Sequence, residues 1–268
     1  MPDCSKTQAN TQSAQPKTVR GSRLISRVLS PALRLWLQTQ IEQAENLQFK
    51  ISSSDRCLLR GQVTQVNLSA DGAIYRGLQL GRVSLIATDI HVNLGQVMRG
   101  KALQLLSPFL ITGRVVLSQS DLNASLQTTT MAEALQNFLV KIYRRGDRVS
   151  EPLAQRLEAI AAVPLDCLKG SGHVRGEVLT ISLHDQKTQA SLVLRTRLQI
   201  QQERLLTLLQ PQLLEDIEAP TGLPLTELEG LQVDLGADVE IQHFALEDGQ
   251  LKCQGSVRVQ PGGDRESA

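Results

Sequence analysis

Aromatic side chains are scarce in this sequence: one Trp, two Tyr and four Phe in 268 residues, or 3% of the chain. A core must then be packed mainly by Leu, Val and Ile, and single-stranded nucleic acid finds few platforms for stacking its bases. A dominant charge is missing too. The 28 basic and 27 acidic residues leave a formal net charge of +1, so there is no global attraction to nucleic acid and any basic partner-seeking surface has to be local. Cys4, Cys57, Cys167 and Cys253 are scattered with no CxxC pair, and the four histidines are equally dispersed. That spacing offers no zinc site and no cofactor, and free thiols in a reducing compartment are expected. No stretch reaches the ~18 uninterrupted apolar residues of a membrane span. The opening MPDCSKTQANTQSAQPK lacks the basic start, apolar run and small-residue cleavage site of a signal peptide. The expectation is a cytoplasmic protein that associates with membranes peripherally.

Catalytic signatures are absent as well. There is no G-x-S-x-G elbow, no P-loop, and no G-x-G-x-x-G after a strand. Ser171 and His173, two apart in Gly-Ser-Gly-His, would share a face of a strand, but no acid is defined to orient the base. A hydrolase is the weakest reading. His91 and His243 sit among apolar neighbours in strand-like segments, which suits structural histidines. Glu215 and Asp216 lie in a polar bend and read as solvated charge.

What is present begins with a polar leader. Residues 1–22 are rich in Gln, Ser, Thr and Lys and nearly empty of apolar side chains, so a disordered tail is expected there. From Arg23 a helical period sets in. Ile25, Val28, Leu29, Ala32, Leu33, Trp36, Ile41 and Ala44 form one apolar stripe, interrupted at Pro31. Lys17, Arg20, Arg23, Arg27 and Arg34 all precede Glu42, the first acidic residue after Asp3. Two readings fit this basic amphipathic helix with the only Trp. It lies in a membrane interface, or it packs its stripe on the protein's own sheet.

The period then changes to two. Val63, Val66 and Leu68 lead to a turn at Ala70-Asp71-Gly72, and Leu78, Leu80, Val83, Leu85 and Ala87 follow. The phase slips at Thr88-Asp89 before Ile90, Val92 and Leu94, the mark of a β-bulge in a bent strand. Gln96–Lys101 reads as a turn, and Ile111, Gly113, Val115 and Leu117 as a further strand. Ser118-Gln119-Ser120-Asp121 fits a capping box that opens a short helix to Leu126, and Thr128-Thr129-Thr130 breaks it. Met131, Ala134, Leu135, Phe138, Leu139 and Ile142 mark a second helix, and Ser150-Glu151-Pro152 opens a third to about Ala162. Lys141, Arg144, Arg145 and Arg148 gather at the end of the second helix beside Tyr143. The helix dipole accounts for them; they also form a candidate clamp for anionic headgroups. Beyond Pro164 the pattern is nearly all strand, with Leu205–Leu214 unassigned and a hairpin of Leu231–Ile241 against Leu251–Val259 closed at Glu247–Gln250.

The fold class expected is α+β: an elongated, strongly curved antiparallel β-sheet with a few packed helices. One domain should span 23–260, followed by a flexible tail, 261–268. A Leu-rich interior with few rigid aromatics would leave room for acyl chains beneath such a sheet.

The stretch NLGQVMRGKALQLLSPFLITGRVVLSQSDLNASL, from Asn93 to Leu126, resembles the LmeA-like phospholipid-binding family, long carried as a bacterial domain of unknown function and common in cyanobacteria. Gly100-Lys101 and the run from Ser118 to Leu126 carry the likeness, and VDLGADVEIQHFALEDGQLKCQGSVRV is similar to the family's closing hairpin. The resemblance spans about residues 30–260. It implies a β-rich fold similar to tubular lipid-binding domains, phospholipid in an apolar groove, and no catalytic residue. Relatives with a signal sequence act outside the cytoplasmic membrane, and this chain departs from them in showing none.

Together these readings give a non-enzymatic protein that binds or transfers phospholipid, anionic by charge complementarity, at a membrane surface. The candidate contacts are Arg20, Arg23, Arg27, Arg34 and Trp36 in the first helix, and Phe138, Lys141, Tyr143, Arg144 and Arg145 near the end of the second. Nucleic acid is not an expected partner. The rival reading is a structural or assembly module that binds other proteins through the apolar helix face.

Overall fold

Alternation of apolar and polar residues along the strands drives the chain into layers, because each sheet has one face to hide from water. The structure, a computed structural model, describes residues 42–143, 150–185 and 187–261. Two antiparallel sheets, five α-helices and one 3-10 turn (Thr226–Leu228) are seen among them. The first sheet runs β1 (Gln43–Ser52), β2 (Gln62–Tyr75), β3 (Leu78–His91), β4 (Phe109–Ser118), β12 (Gln250–Val259), β11 (Val239–Glu247). The second runs β10 (Gln232–Asp234), β8 (Leu205–Leu214), β7 (Ser191–Gln201), β6 (Val178–His184), β5 (Lys169–Arg175), with β9 (Leu223–Pro224) paired to β8.

The expected single, strongly curved sheet is not formed. Neither sheet closes or curves strongly, so there is no tubular arrangement. The reason lies in the connection after β4. Helices α3 (Gln119–Leu126), α4 (Thr129–Tyr143) and α5 (Glu151–Ala161) carry the chain away, and the strands that follow pair with one another. Only the last hairpin, β11–β12, returns, and β12 pairs with β4 from Val259–Phe109 to Gln250–Ser118.

The principal core lies between helices α4 and α5 and the second sheet. Leu139, Ile142, Leu153, Leu157 and Ile160 pack there on Leu183, Leu192 and Leu213. The smaller helices α1 (Asp55–Leu59) and α2 (Leu94–Val97) cap one end of the first sheet, over Leu58, Val63, Ile90, Val92 and Phe109. Fourteen-residue strands such as β2 and β3 extend about 45 Å, so this capped end is far from the end where the second sheet attaches.

That attachment is made by α3. Its start is a capping box: Ser118 N donates to Asp121 Oδ2 at 2.8 Å and Asp121 N to Ser118 Oγ at 3.3 Å. Toward the second sheet, Gly172 N donates to Asn123 Oδ1 at 2.7 Å and Val174 N to Gln119 Oε1 at 3.0 Å, while Gln119 Nε2 donates to Gly172 O. Toward the first sheet, Gln79 N donates to Ser125 Oγ at 2.8 Å. Thus the helix satisfies backbone groups at the free edge of β5 and on β3, which would otherwise face a buried junction unpaired. Leu122 joins Val174, Leu179, Phe244, Leu246 and Leu251 in an apolar cluster between the sheets.

Several local expectations are corrected. The turn after Leu68 is not at Ala70–Gly72; β2 runs on to Tyr75, and Arg76 and Gly77, both at positive φ (50° and 76°), make the hairpin. The slip at Thr88-Asp89 is no bulge. β2 and β3 keep one register from Gln62–His91 to Tyr75–Leu78, and both strands change faces together: Val63 and Val66 enter the same cluster as Ile90 and Ala87, with Asp89 at φ 53°. Leu94 opens α2 instead of extending β3. Leu205–Leu214 is an interior strand. Its Pro211 is tolerated because β7 and β8 shift register between Arg195 and Arg197, beside Gln210 at φ 50°. Leu231–Leu235 does not belong to the closing hairpin, since β10 pairs with β8.

Two stability predictions follow from this packing. A Cβ at Gly170 would lie 2.7 Å from Leu126 O, a backbone atom, whereas at Gly172 it would meet side-chain ends of Leu122 and Leu126 at 2.9 Å. Gly170→Ala should therefore destabilise by about 1–3 kcal/mol and Gly172→Ala by less, as read by urea unfolding; equal losses would contradict this account of the junction. At the β6–β7 turn, hydrogen bonds from the Thr188 hydroxyl (2.7 Å) and Thr188 N (2.9 Å) hold the Asp185 carboxyl below its ordinary value of 3.8. A depressed carboxylate stabilises fully above that ordinary value and loses its contribution as pH falls through the lower folded one. Asp185→Asn should lower the urea midpoint at neutral pH, and the gap to the parent protein should narrow as acid protonates Asp185.

Candidate lipid-binding surfaces

The register of the first sheet sorts its side chains into two faces of opposite character. Val83, Val115 and Cys253 align across β3, β4 and β12, and Ala87, Ile111 and Val257 do so further along. Leu85, Gly113 and Gly255 form the row between them, where Leu85 leans over Gly113 into the space a Cβ would take. This face is greasy throughout. Where it meets the second sheet it is closed by Phe244, Leu246 and Leu251 packing on Val174, Leu179 and Leu198. Away from that contact Leu85, Ile111, Val115, Cys253 and Val259 are only half-buried, and Val257 is 42% exposed. Burial pushes the Cys253 thiol above its ordinary pKa, as expected for a thiolate disfavoured in an apolar setting.

The opposite face is mainly polar, with Ile86 and Leu110 on it 41% and 40% exposed. Pairing of β3 with β4 stops at Arg82–Val116, while β2–β3 continues to Tyr75–Leu78 and β4–β12 to Ser118–Gln250. Where the strands part there is an open cleft of about 730 Å³, lined by Arg82, Arg114, Lys252, His243, Glu247 and Asp121 among others. Its cations already have partners. Arg114 Nη2 donates to Gln254 Oε1 at 3.0 Å, Lys252 Nζ lies 2.8 Å from Glu247 Oε1, and Arg82 Nε lies 3.5 Å from Asp71 Oδ1. The Lys252 hydrogen bond, then its charge, holds the exposed Glu247 carboxyl below its ordinary value. These pairs are solvated and contribute little to stability. The sequence signal for them was the alternation itself, since Arg82, Arg114 and Lys252 fall between the apolar positions of β3, β4 and β12.

Of the contacts expected from sequence, Arg20, Arg23, Arg27, Arg34, Trp36, Arg144 and Arg145 lie outside the described residues, as does the side chain of Lys141. Phe138 is half-buried and packs against the core between α4, α5 and the second sheet. Tyr143, at the end of α4, is 44% exposed. No two members of the expected set are brought together within the described residues.

Ser171 and His173 share one face of β5, as strand geometry requires, opposite Ser182 and Thr180. No hydrogen bond joins them to each other or to a carboxylate among the described residues. Nor do those residues hold a group of three or more His, Cys, Asp or Glu side chains able to bind a metal ion. Among the same residues no helix is long and apolar enough to cross a membrane.

The run from Asn93 to Leu126 now has a physical content. It contains α2, the β4 strand of the half-buried apolar face, and the α3 junction. No curated protein and no solved structure matches the chain. One family model does, over residues 20–256, and by that match the chain belongs to the LmeA-like phospholipid-binding family.

Proposed function

We propose that the protein holds phospholipid at a membrane surface by non-covalent contacts alone, with acyl chains laid along the half-buried apolar face of the first sheet. The family is a phospholipid-binding one, and the single observation that carries the assignment is the greasy face formed by Leu85, Ile111, Val115, Cys253, Val257 and Val259. Each methylene removed from water there contributes about 0.8 kcal/mol, so a few carbons on the face suffice for measurable affinity. Headgroup recognition falls to basic side chains outside the described residues: Arg20, Arg23, Arg27 and Arg34 before the β1 strand, with Trp36 at the interface, and Arg144 and Arg145 beside Tyr143 and Lys141. A cation near an anionic leaflet is worth about 1 kcal/mol before screening. The preference is therefore for anionic lipid, and the attachment is peripheral.

Vesicle flotation tests the headgroup half. Recovery should be higher with vesicles containing phosphatidylglycerol than with phosphatidylcholine alone, and Arg23→Glu/Arg27→Glu should reduce it more in low salt than in high. Equal recovery with both vesicles removes the anionic preference. Alkylation mapping tests the other half. Bound phospholipid should slow modification of Cys253 relative to Cys167, which packs on the core of the second sheet; an unchanged ratio of the two rates removes the apolar face as the acyl site.

A further inference from the structure

The three most exposed large hydrophobic side chains among the described residues are Leu59 at 68%, Leu106 at 61% and Met98 at 52%. All three belong to the same end of the first sheet. Leu59 ends α1, the connection between β1 and β2; Met98 follows α2; and Leu106 lies on the way from α2 to β4. The two connections that carry them, β1–β2 and β3–β4, are tied together by backbone hydrogen bonds. Val92 N donates to Gly61 O at 2.8 Å, Leu106 N to His91 O at 2.8 Å, and Val92 bridges to Leu105. This end is remote from α3 and the second sheet.

Two features separate this cluster from ordinary scattered surface leucines, which need no explanation. First, the exposed side chains are held outward by a built scaffold. Asn93 is buried, and its side chain clasps the returning loop: Nδ2 donates to Ala102 O at 3.0 Å, and Gln104 N donates to Oδ1 at 2.7 Å. Beneath lie Leu58, Val92 and Leu94, each at most 4% exposed, so the core at this end is complete without Leu59, Met98 and Leu106. Second, the connections that carry the cluster are charged almost wholly with one sign. Arg56, Arg60, Arg99 and Lys101 are all exposed on the same connections, against a single carboxylate in them, Asp55.

We infer that this end of the sheet is a membrane-docking tip that sets Leu59, Met98 and Leu106 into the interfacial region of an anionic lipid bilayer. Arg56, Arg60, Arg99 and Lys101 meet the phosphates. The inference rests on the phospholipid-binding reading and extends it by locating the contact at the end of the sheet opposite the α3 junction. The occupant is a lipid surface because apolar side chains flanked by cations match its layered chemistry, hydrocarbon beneath phosphate. The apolar face of the first sheet reaches this same end, at Ile111, Val257 and Val259, so a docked tip would bring it next to the lipid it takes up.

The test compares the full chain with two variants, Arg99→Glu/Lys101→Glu in the exposed loop and Leu59→Ser/Met98→Ser/Leu106→Ser. Flotation uses vesicles of phosphatidylcholine with and without phosphatidylglycerol, alongside lipid co-purified with each protein and thermal melting as the check on folding. The charge variant should lose about tenfold or more of its partitioning to anionic vesicles and show a shallower dependence on salt. The apolar variant should lose binding to both vesicle types, and both variants should keep their co-purified lipid. Unchanged flotation of a folded charge variant, with the parent protein floating, overturns the tip while leaving phospholipid binding intact. Loss of co-purified lipid together with flotation also overturns it, since the tip would then be part of the lipid-holding site. A parent protein that neither floats nor carries lipid sinks the functional reading itself. Should the triple variant fail to fold, the charge variant alone decides.

Discussion

The eight-residue helix α3 is the constraint on which the arrangement depends. A helix placed between two sheets must satisfy its own first donors and also the backbone of the strand edges it covers, because neither reaches bulk water. Here one short segment does both. Ser118 and Asp121 close its start, Gln119 and Asn123 bond the edge of β5, and Ser125 accepts from Gln79 of β3. Gly81, Gly170 and Gly172 allow the approach, since side chains there would strike Asp121, Leu126 or Leu122. The polar residues of this motif are thereby accounted for by architecture, and none is left over for chemistry.

Fixing the second sheet at one end of the first leaves the rest of the long strands with an apolar face only partly shielded. In an ordinary domain such a face would be covered by helices, as α4 and α5 cover the second sheet. The contrast between the two sheets is the observation behind the proposal that lipid lies on the first. The cations lining the cleft on the opposite face do not stand out as a ligand site, because Arg82, Arg114 and Lys252 are already held by a neighbouring acid or amide. A phospholipid needs hydrocarbon contact and phosphate contact side by side, and within the described residues that combination occurs where the greasy face runs out beneath α1 and α2.

Much of this was legible from residue order. The capping box, the α4 and α5 periodicities, the closing turn at Asp248-Gly249 and the alternation in β4 and β12 all depend on neighbours within a few positions, and local rules read them correctly. Pairing partners were not legible. The alternating segments look alike on either side of the helical region, so nothing in their pattern distinguishes one long curved sheet from two. The face change at Asp89 illustrates the same difficulty, because one strand alone cannot show that its partner changes face in step. Phe138 shows it for a site residue: its position in an apolar helical stripe is equally consistent with core and with membrane, and only the packing shows it half-buried against the core.

By itself, the sequence determined what short-range stereochemistry and composition control: helix starts and ends, much of the strand alternation, and membership in a phospholipid-binding family over residues 20–256. Tertiary structure alone decided which strands share a sheet, which apolar face is left half-covered, and that Leu59, Met98 and Leu106, up to 47 positions apart in sequence, end up on one edge of the molecule. The physical reason is that hydrogen-bond pairing and burial join residues distant along the chain, and those choices are settled by the free energy of the whole fold and not by any local segment.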